Sequence, residues 1–361
     1  MRILDRYISR EFIKTFLLIM VSLVALYLIV DFFERLRMFL SRDATVLQVV
    51  SYFFFTIPMI VTQMLPVSFL LAALITFAIL SKNSEITAIR ANGISLFRLS
   101  LPVIVLSIAA CFLSFVLSEF ITPAANERAK YIKLVEVQKK KKLGSFTQNE
   151  IWYRGDDGIY NFAVYDPEKA MLKGVRIYYL DQNMHLARRI DARKARWEAG
   201  RWIFDDVMIT TFPEEPGSFP RIERYSTTEI DLPEQPSDFL IVQKDTDEMG
   251  FFELRSYIRK IRSEGYDATR YITDMHGKIA FALVNVILGV LGISFSLRTE
   301  RSGGIARSIG TGIIIGFSYW IVFAFAVSLG RSGSLPPLLA AWAANLILGL
   351  VAVVSFMRVR T

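Results

Sequence analysis

Long apolar runs fill both ends of the 361-residue chain, while its middle is polar. Few folds accept that pattern, because about 20 mostly apolar residues are what a helix needs to cross a bilayer. Such runs lie at 12–33, within 46–80, and at 99–121, 278–297, 305–329 and 335–357. The chain therefore reads as an α-helical polytopic membrane protein of six spans, with a soluble domain inserted after the third. The run at 46–80 is longer than one crossing and contains Pro58 and Pro66. A kink or break is expected there, with a re-entrant or interfacial stretch before the crossing proper. Gly310, Gly312 and Gly316 in the fifth span predict close helix packing. The N-terminal flank is charged and amphipathic, and no small-residue cleavage site follows the first run. That run is expected to remain as a helix.

Formal net charge is +8. In a soluble chain this would point to nucleic acid, but in a polytopic chain Lys and Arg mark cytoplasmic helix ends. With the N-terminus inside, the inside segments 1–14, 81–98, 298–307 and 358–361 hold twelve Lys and Arg. The outside loops 34–46 and 330–337 hold four. Both termini are thus expected in the cytoplasm and the middle domain outside. Cys111 is the single cysteine, so no disulfide forms within the chain.

The expected organisation is spans one to three over 1–121, a soluble domain over 122–277 and spans four to six over 278–361. The soluble domain opens on a charged helical stretch at 124–142 that continues the third span. Strand-like runs follow at 151–154, 159–166, 174–181, 185–192, 195–200 and 202–210, bounded by turns at 155–158, 181–183 and 198–200. This predicts an all-β, jellyroll-like or sandwich domain of antiparallel sheet. Residues 212–220 read as a loop. Residues 252–265 read as an amphipathic helix with Leu254, Tyr257, Ile258 and Ile261 on one face.

The sequence carries no chemistry of its own that these patterns can identify. The glycine-rich stretch at 303–312 lacks the Gly-Lys-Ser/Thr ending of a phosphate loop. There is no HExxH, no GxSxG and no Cys/His cluster. His185 and His276 stand far apart, so no metal site and no bound cofactor are expected. The aspartate pairs at 156–157 and 205–206 read as turns and solvated faces. What remains is a channel, a transporter or the membrane part of a complex. The loop between spans two and three reads as a short amphipathic helix that could dock a cytoplasmic motor. Ile86, Ala88 and Ile89 are its apolar side, Lys82, Glu85 and Arg90 are charged, and Gly93 could end it. An interfacial loop is the plainer alternative.

Several segments, in this order and spacing, resemble one family: LDRYI at 4–8, KNSEITAIRANGIS at 82–95, SEFITPAANERA at 118–129, GVRIYYLD at 174–181 and IDARKARWEAGRWIFDDV at 190–207. LRTERSGGIARSIGTGIIIGFSYW at 297–320 completes the set. Together they resemble the LptF/LptG (YjgP/YjgQ) permease family of the lipopolysaccharide export ABC transporter. LDRYI favours the LptG branch.

That resemblance implies a permease subunit of the bacterial inner membrane, not itself an enzyme. It would extract lipopolysaccharide and pass it along a periplasmic β-jellyroll bridge toward the outer membrane. Its implied partners are an LptF-like permease, an LptB-like ATPase dimer that uses the ATP, an LptC-like membrane-anchored jellyroll protein and an LptA-like bridge. Nucleic acid is not among them. The coupling helix would lie near 84–95, with Glu85, Arg90 and Gly93 as motor contacts and shape-setting residues. Arg35 and Arg37, at the outer end of the first span, are candidates for lipid phosphates. Asp31 and Glu34 join them as acids near membrane depth, Asp31 being able to pair with Arg35. Asp31 replaces a lysine found in some members, and Ala282 stands where a proline is often found, so a straighter fourth span is expected. Three alternatives stay open: an LptF-type subunit or a permease for another lipid, a membrane scaffold, and a secondary transporter.

Overall fold

A computed structural model describes residues 2–139, 144–147, 150–154, 158–166, 170–181, 185–198, 200–213, 219–232, 235–236, 244–263, 267–298 and 305–358. The expected turn at 155–157, the end of the charged helix at 140–142 and the glycines at 303–304 lie outside these residues. The chain divides into two compact units. One holds residues 1–130, 246–255 and 268–361, and the other holds 131–245 and 256–267.

The first unit is helical. Its elements are α1 (Arg2–Leu40), α2 (Val46–Lys82), α3 (Glu85–Ala91), α4 (Leu96–Val116), a π-helical turn (Leu117–Ile121) and α5 (Thr122–Tyr131). After the inserted unit come α6 (Phe251–Ser263), which begins here, α7 (Thr269–Arg298), α8 (Ile305–Arg331) and α9 (Pro337–Met357). Among the described residues six helices are long and apolar enough to cross a membrane: α1, α2, the helix running on from α4 to Val137, α7, α8 and α9. The charged stretch after span three is thus helical as far as Val137, with a second π segment at Ile132–Val137.

The proline-bearing run does not break. α2 is one helix of 37 residues, about 55 Å at 1.5 Å per residue, so it outreaches the ~30 Å hydrocarbon layer without a re-entrant turn. Thr45 caps it in a reciprocal box with Gln48. Inside, the Thr62 hydroxyl donates to the Pro58 carbonyl at 2.9 Å, and the Thr56 hydroxyl to that of Tyr52 at 2.8 Å. Neither bond reaches the Phe54 or Thr62 carbonyl, the two that Pro58 and Pro66 leave without a backbone donor, and the helix runs on through both prolines all the same. α7 is likewise unbroken through Ala282.

α2 and α7 are the most buried of the spans and α1 the least. Two buried polar side chains tie helices together. Ser296 Oγ donates to the Leu74 carbonyl at 3.0 Å, and Asn345 Nδ2 to that of Ala280 at 2.6 Å. Glycines set the closest approaches. A Cβ on Gly292 would lie 2.8 Å from Ala73 Cβ and 2.9 Å from the Leu70 carbonyl oxygen. On Gly312 it would meet Leu71 and Leu74, whereas Gly310 faces open space. Of Gly310, Gly312 and Gly316, only Gly312 is pressed this closely. Gly292→Ala is expected to cost about 1–3 kcal/mol, since the backbone of α2 cannot yield as a side chain could. Gly310→Ala should be neutral or slightly stabilising. Thermal unfolding in detergent compares them, and equal melting temperatures would refute this packing.

The second unit is an antiparallel sheet of eight strands: β1 (Gly144–Thr147), β2 (Glu150–Arg154), β3 (Ile159–Phe162), β4 (Val164–Asp166), β5 (Met171–Leu180), β6 (Leu186–Glu198), β7 (Arg201–Thr211) and β8 (Arg221–Glu229). Neighbours in sequence pair in the order β1-β2-β3-β5-β6-β7-β8, and β4 pairs with β5. The inserted domain is all-β, as expected, and its strands follow as a meander. The runs at 185–192 and 195–200 join in one strand, β6.

The buried face switches parity at one level across three strands. Leu172, Ala195 and Phe204 are buried in one row; the next buried row is Val175, Ala192 and Val207. Between these rows stand Gly174 and Asp206, both left-handed with φ of 62° and 56°, and Arg193. One extra residue per strand keeps the same side of the sheet inward while the strands bend. On the other face Asp205 accepts from Arg196 Nε at 3.1 Å and Thr227 Oγ1 at 3.2 Å, with Lys194 Nζ at 3.3 Å. Burial pushes the Asp205 carboxyl up, but those donors outweigh it and hold the carboxyl below its ordinary value.

Candidate functional site

α3 is seven residues long, too short to hold its shape alone. It is held from both ends and from beneath. Gly93, at φ 78°, lets its N–H reach the Arg90 carbonyl at 2.9 Å while that of Ile94 reaches the Ile89 carbonyl at 3.4 Å. These are the two bonds of a Schellman ending. Ile86 is 1% exposed and joins the core that contains Ile8 and Phe12 of α1. The Tyr7 hydroxyl donates to Glu85 Oε2 at 2.9 Å, and Asn83 Nδ2 to Glu85 Oε1 at 3.2 Å. Two residues earlier on α1, Asp5 accepts from Arg98 Nη2, at the start of α4, at 2.7 Å.

Two short segments of the sequence are thus brought together. In LDRYI, Asp5 and Tyr7 hold the loop that follows α2, and Ile8 fills the core beneath it. Of the residues singled out on α3, Glu85 is half-buried and engaged within the chain, Gly93 shapes the end, and Arg90 is exposed. Arg90 makes no ion pair among the described residues. α3 therefore offers a rigid outward face of Thr87, Ala88, Arg90 and Ala91. From the sequence, Asp5 and Tyr7 are quoted only within LDRYI, with no role for either, and Arg98 is not singled out.

At the other end of α1 the four singled-out residues separate. Asp31 is 5% exposed and accepts from Arg35 Nε at 2.8 Å. The Arg35 guanidinium also lies 5.4 Å from the centroid of the Tyr52 ring on α2. This pair is an internal brace between α1 and α2. Glu34 and Arg37 are exposed. Asp31 and Glu34 are three residues apart, yet Asp31 faces α2 and Glu34 does not.

Glu119 stands on the π-helical turn at Leu117–Ile121. Its carboxylate accepts from the backbone N–H groups of Phe251 and Phe252, the first turn of α6. An acid at that position meets unpaired N–H groups and the positive end of the helix. Asn126 Nδ2 donates to the Asp247 carbonyl at 3.0 Å, and Lys130 Nζ pairs with Glu248 at 3.1 Å. The chain leaving α4 and the chain returning into α6 are thus fastened side by side. Among the described residues no group of three or more His, Cys, Asp or Glu could hold a metal ion.

Comparison with known proteins places nearly the whole chain in one group of relatives. The family described as lipopolysaccharide export system permease LptF/LptG matches residues 6–358. The lipopolysaccharide export system permease protein LptG of Escherichia coli K12 is 24% identical over 345 residues, 94% of this chain and 93% of that protein. The LptG protein of Haemophilus influenzae is 24% identical over 333 residues, 88% of each.

Proposed function

The chain belongs to the LptF/LptG family of lipopolysaccharide export permeases, and on that premise we propose that it is the LptG-type half of a two-permease gate. Its part in lipopolysaccharide export at the inner membrane follows from the family; the finer mechanism is our reading. The gate extracts lipopolysaccharide from the membrane and passes it to a periplasmic β-jellyroll bridge. An LptF-like permease completes the membrane part, an LptB-like ATPase dimer supplies the energy, an LptC-like protein adds a jellyroll section, and an LptA-like bridge accepts the lipid. In this reading both termini are cytoplasmic and the sheet domain is periplasmic. The permease itself binds no cofactor.

The observation that carries this reading is the extent of the family match, which runs through both helical halves and the sheet between them. The clamped α3 supports it. A motor can pull on a membrane only through an element that does not yield; Tyr7–Glu85 fixes α3 to α1, and Asp5–Arg98 ties α1 to the start of α4 just beyond it. Arg90 contacts the ATPase in this reading, and Glu85 positions α3 for it. Arg37 and Glu34 face the lipid, with Asp31 and Arg35 bracing the helix that presents them. A scaffold would need no such transmission. The experiment that tests the reading reconstitutes the chain with these partners and follows ATP-driven departure of lipopolysaccharide from the vesicle.

A further inference from the structure

A cavity of about 210 Å³ opens within the helical unit, among α2, the π-helical turn after α4, α7 and α8. One wall is aromatic, formed by Phe281, Trp320 and Phe323; the other is polar, with Ser118, Thr122 and Asn126. Lys278 and Arg331 line it together with Asp274 and Asp247. Lys278 stands in the third turn of a membrane-spanning helix, where an unpaired charge is costly. Among the described residues no carboxylate lies within ion-pair distance of it. Its acidic neighbours are Asp247, Asp274, Glu119 and Glu253. Asp274 is committed to Arg331 Nε at 2.7 Å, and Glu119 to the first turn of α6. Arg331 keeps its terminal amino groups beyond that one bond. Asp274 is 8% exposed, and its Oδ2 is buried without a hydrogen-bond partner.

Resting on the export reading above, we propose that this cavity seats a phosphorylated, hydroxyl-bearing headgroup. Lys278 and the free edge of Arg331 take the phosphate oxygens. Asp274 Oδ2 accepts from a hydroxyl of the same headgroup, which gives this buried acceptor a partner. The aromatic wall covers the apolar side of that group. The volume is below the usual range for a drug-sized ligand, so the cavity holds a headgroup while the acyl chains stay outside it. The seat lies within one chain and does not involve Arg35 or Arg37.

The test uses the assembled complex in nanodiscs, with a photoreactive phenylalanine analogue replacing Phe323 and, in a second preparation, Met59. The probe is lipopolysaccharide, either intact or with its lipid phosphates removed. Intact lipid should crosslink at both positions, and dephosphorylated lipid at least fivefold less. Lys278→Met should lower crosslinking of the intact lipid to that same level and have no further effect on the dephosphorylated one. Lys278→Arg should retain more than half. Excess inorganic phosphate should leave the lipid crosslink unchanged; full competition would show that the seat takes free phosphate and overturn the lipid headgroup. Equal crosslinking by Lys278→Met and wild type would overturn the proposal. So would a loss that ignores the lipid's phosphates, since Lys278 would then serve structure alone. If ATP-driven export proceeds without this crosslink, the headgroup seat fails and the export reading stands. A phosphate-dependent crosslink without ATP-driven departure separates the two in the opposite sense.

Discussion

Reversing the charge of Arg90 is expected to disconnect the permease from the ATPase proposed to drive it, while leaving the membrane fold intact. Arg90 is exposed on the outward side of α3 and makes no ion pair among the described residues. Its replacement by glutamate removes nothing that holds α3, because the clamp lies on the other side, in Ile86, Tyr7–Glu85 and the Schellman ending. At a docked surface, losing a paired charge costs about 2–5 kcal/mol, so ATPase co-purification should fall by roughly 30-fold or more. Tyr7→Phe gives the contrast. It deletes one hydroxyl bond, worth about 1.5–3 kcal/mol to a charged partner, and leaves the docking face unchanged. Binding of the ATPase to detergent-solubilised Arg90→Glu and Tyr7→Phe measures both. If Arg90→Glu binds as tightly as wild type, α3 docks through another face or not at all.

Substituting Gly250 should be the most damaging single change at the junction between α4 and α6. A Cβ there would lie 2.6 Å from Glu119 Oε1 and 2.8 Å from the Glu119 carbonyl oxygen. The carboxylate could swing aside, but only by abandoning the N–H groups of Phe251 and Phe252; the backbone oxygen cannot move without the π-helical turn. Gly250→Ala therefore combines the loss of a helix cap, about 0.5–2 kcal/mol, with overpacking of about 1–3 kcal/mol. Glu119→Ala loses the cap alone. Adding Glu119→Ala to Gly250→Ala should cost less than the sum of the two, since the cap is already lost. Limited proteolysis across 244–250 reports the loosening, and additive effects would contradict this geometry.

Much of the fold could be read in advance because burial in lipid and in a sheet both leave periodic marks. The six spans follow from apolar length alone. The face of Leu254, Tyr257, Ile258 and Ile261 follows from helical spacing, and all four are buried. Gly93 is legible because only a residue at ease at positive φ ends a helix in that way. The break expected at Pro58 and Pro66 does not form: each proline removes one backbone donor, and the helices packed against α2 hold it as one helix. β8 escaped notice because Arg221–Glu229 is a charged edge strand with little buried surface to enforce alternation. Phe162 and Val164 were read as one strand, yet the strand order places β3 and β4 separately against β5.

The site was harder to read than the fold for a different reason. Tyr7 and Glu85 are 78 residues apart, Asp5 and Arg98 93, and Glu119 and Phe251 132. Nothing in local spacing connects such pairs. Asp31 could be paired with Arg35 from its i,i+4 position, but its burial against α2, and the opposite fate of Glu34, depend on which way α1 turns. Lys278 carried no signal beyond being a charge near the start of an apolar run.

In the role proposed above, this chain couples ATP hydrolysis to removal of lipopolysaccharide from the membrane. The most direct measurement of that coupling is transfer from proteoliposomes holding both permeases, the ATPase dimer and the membrane-anchored jellyroll protein to a soluble jellyroll acceptor. With ATP, lipopolysaccharide should accumulate on the acceptor over time. Without ATP, or with this subunit left out, the signal should stay at background. Equal transfer with and without this subunit, or transfer indifferent to ATP, would contradict the account.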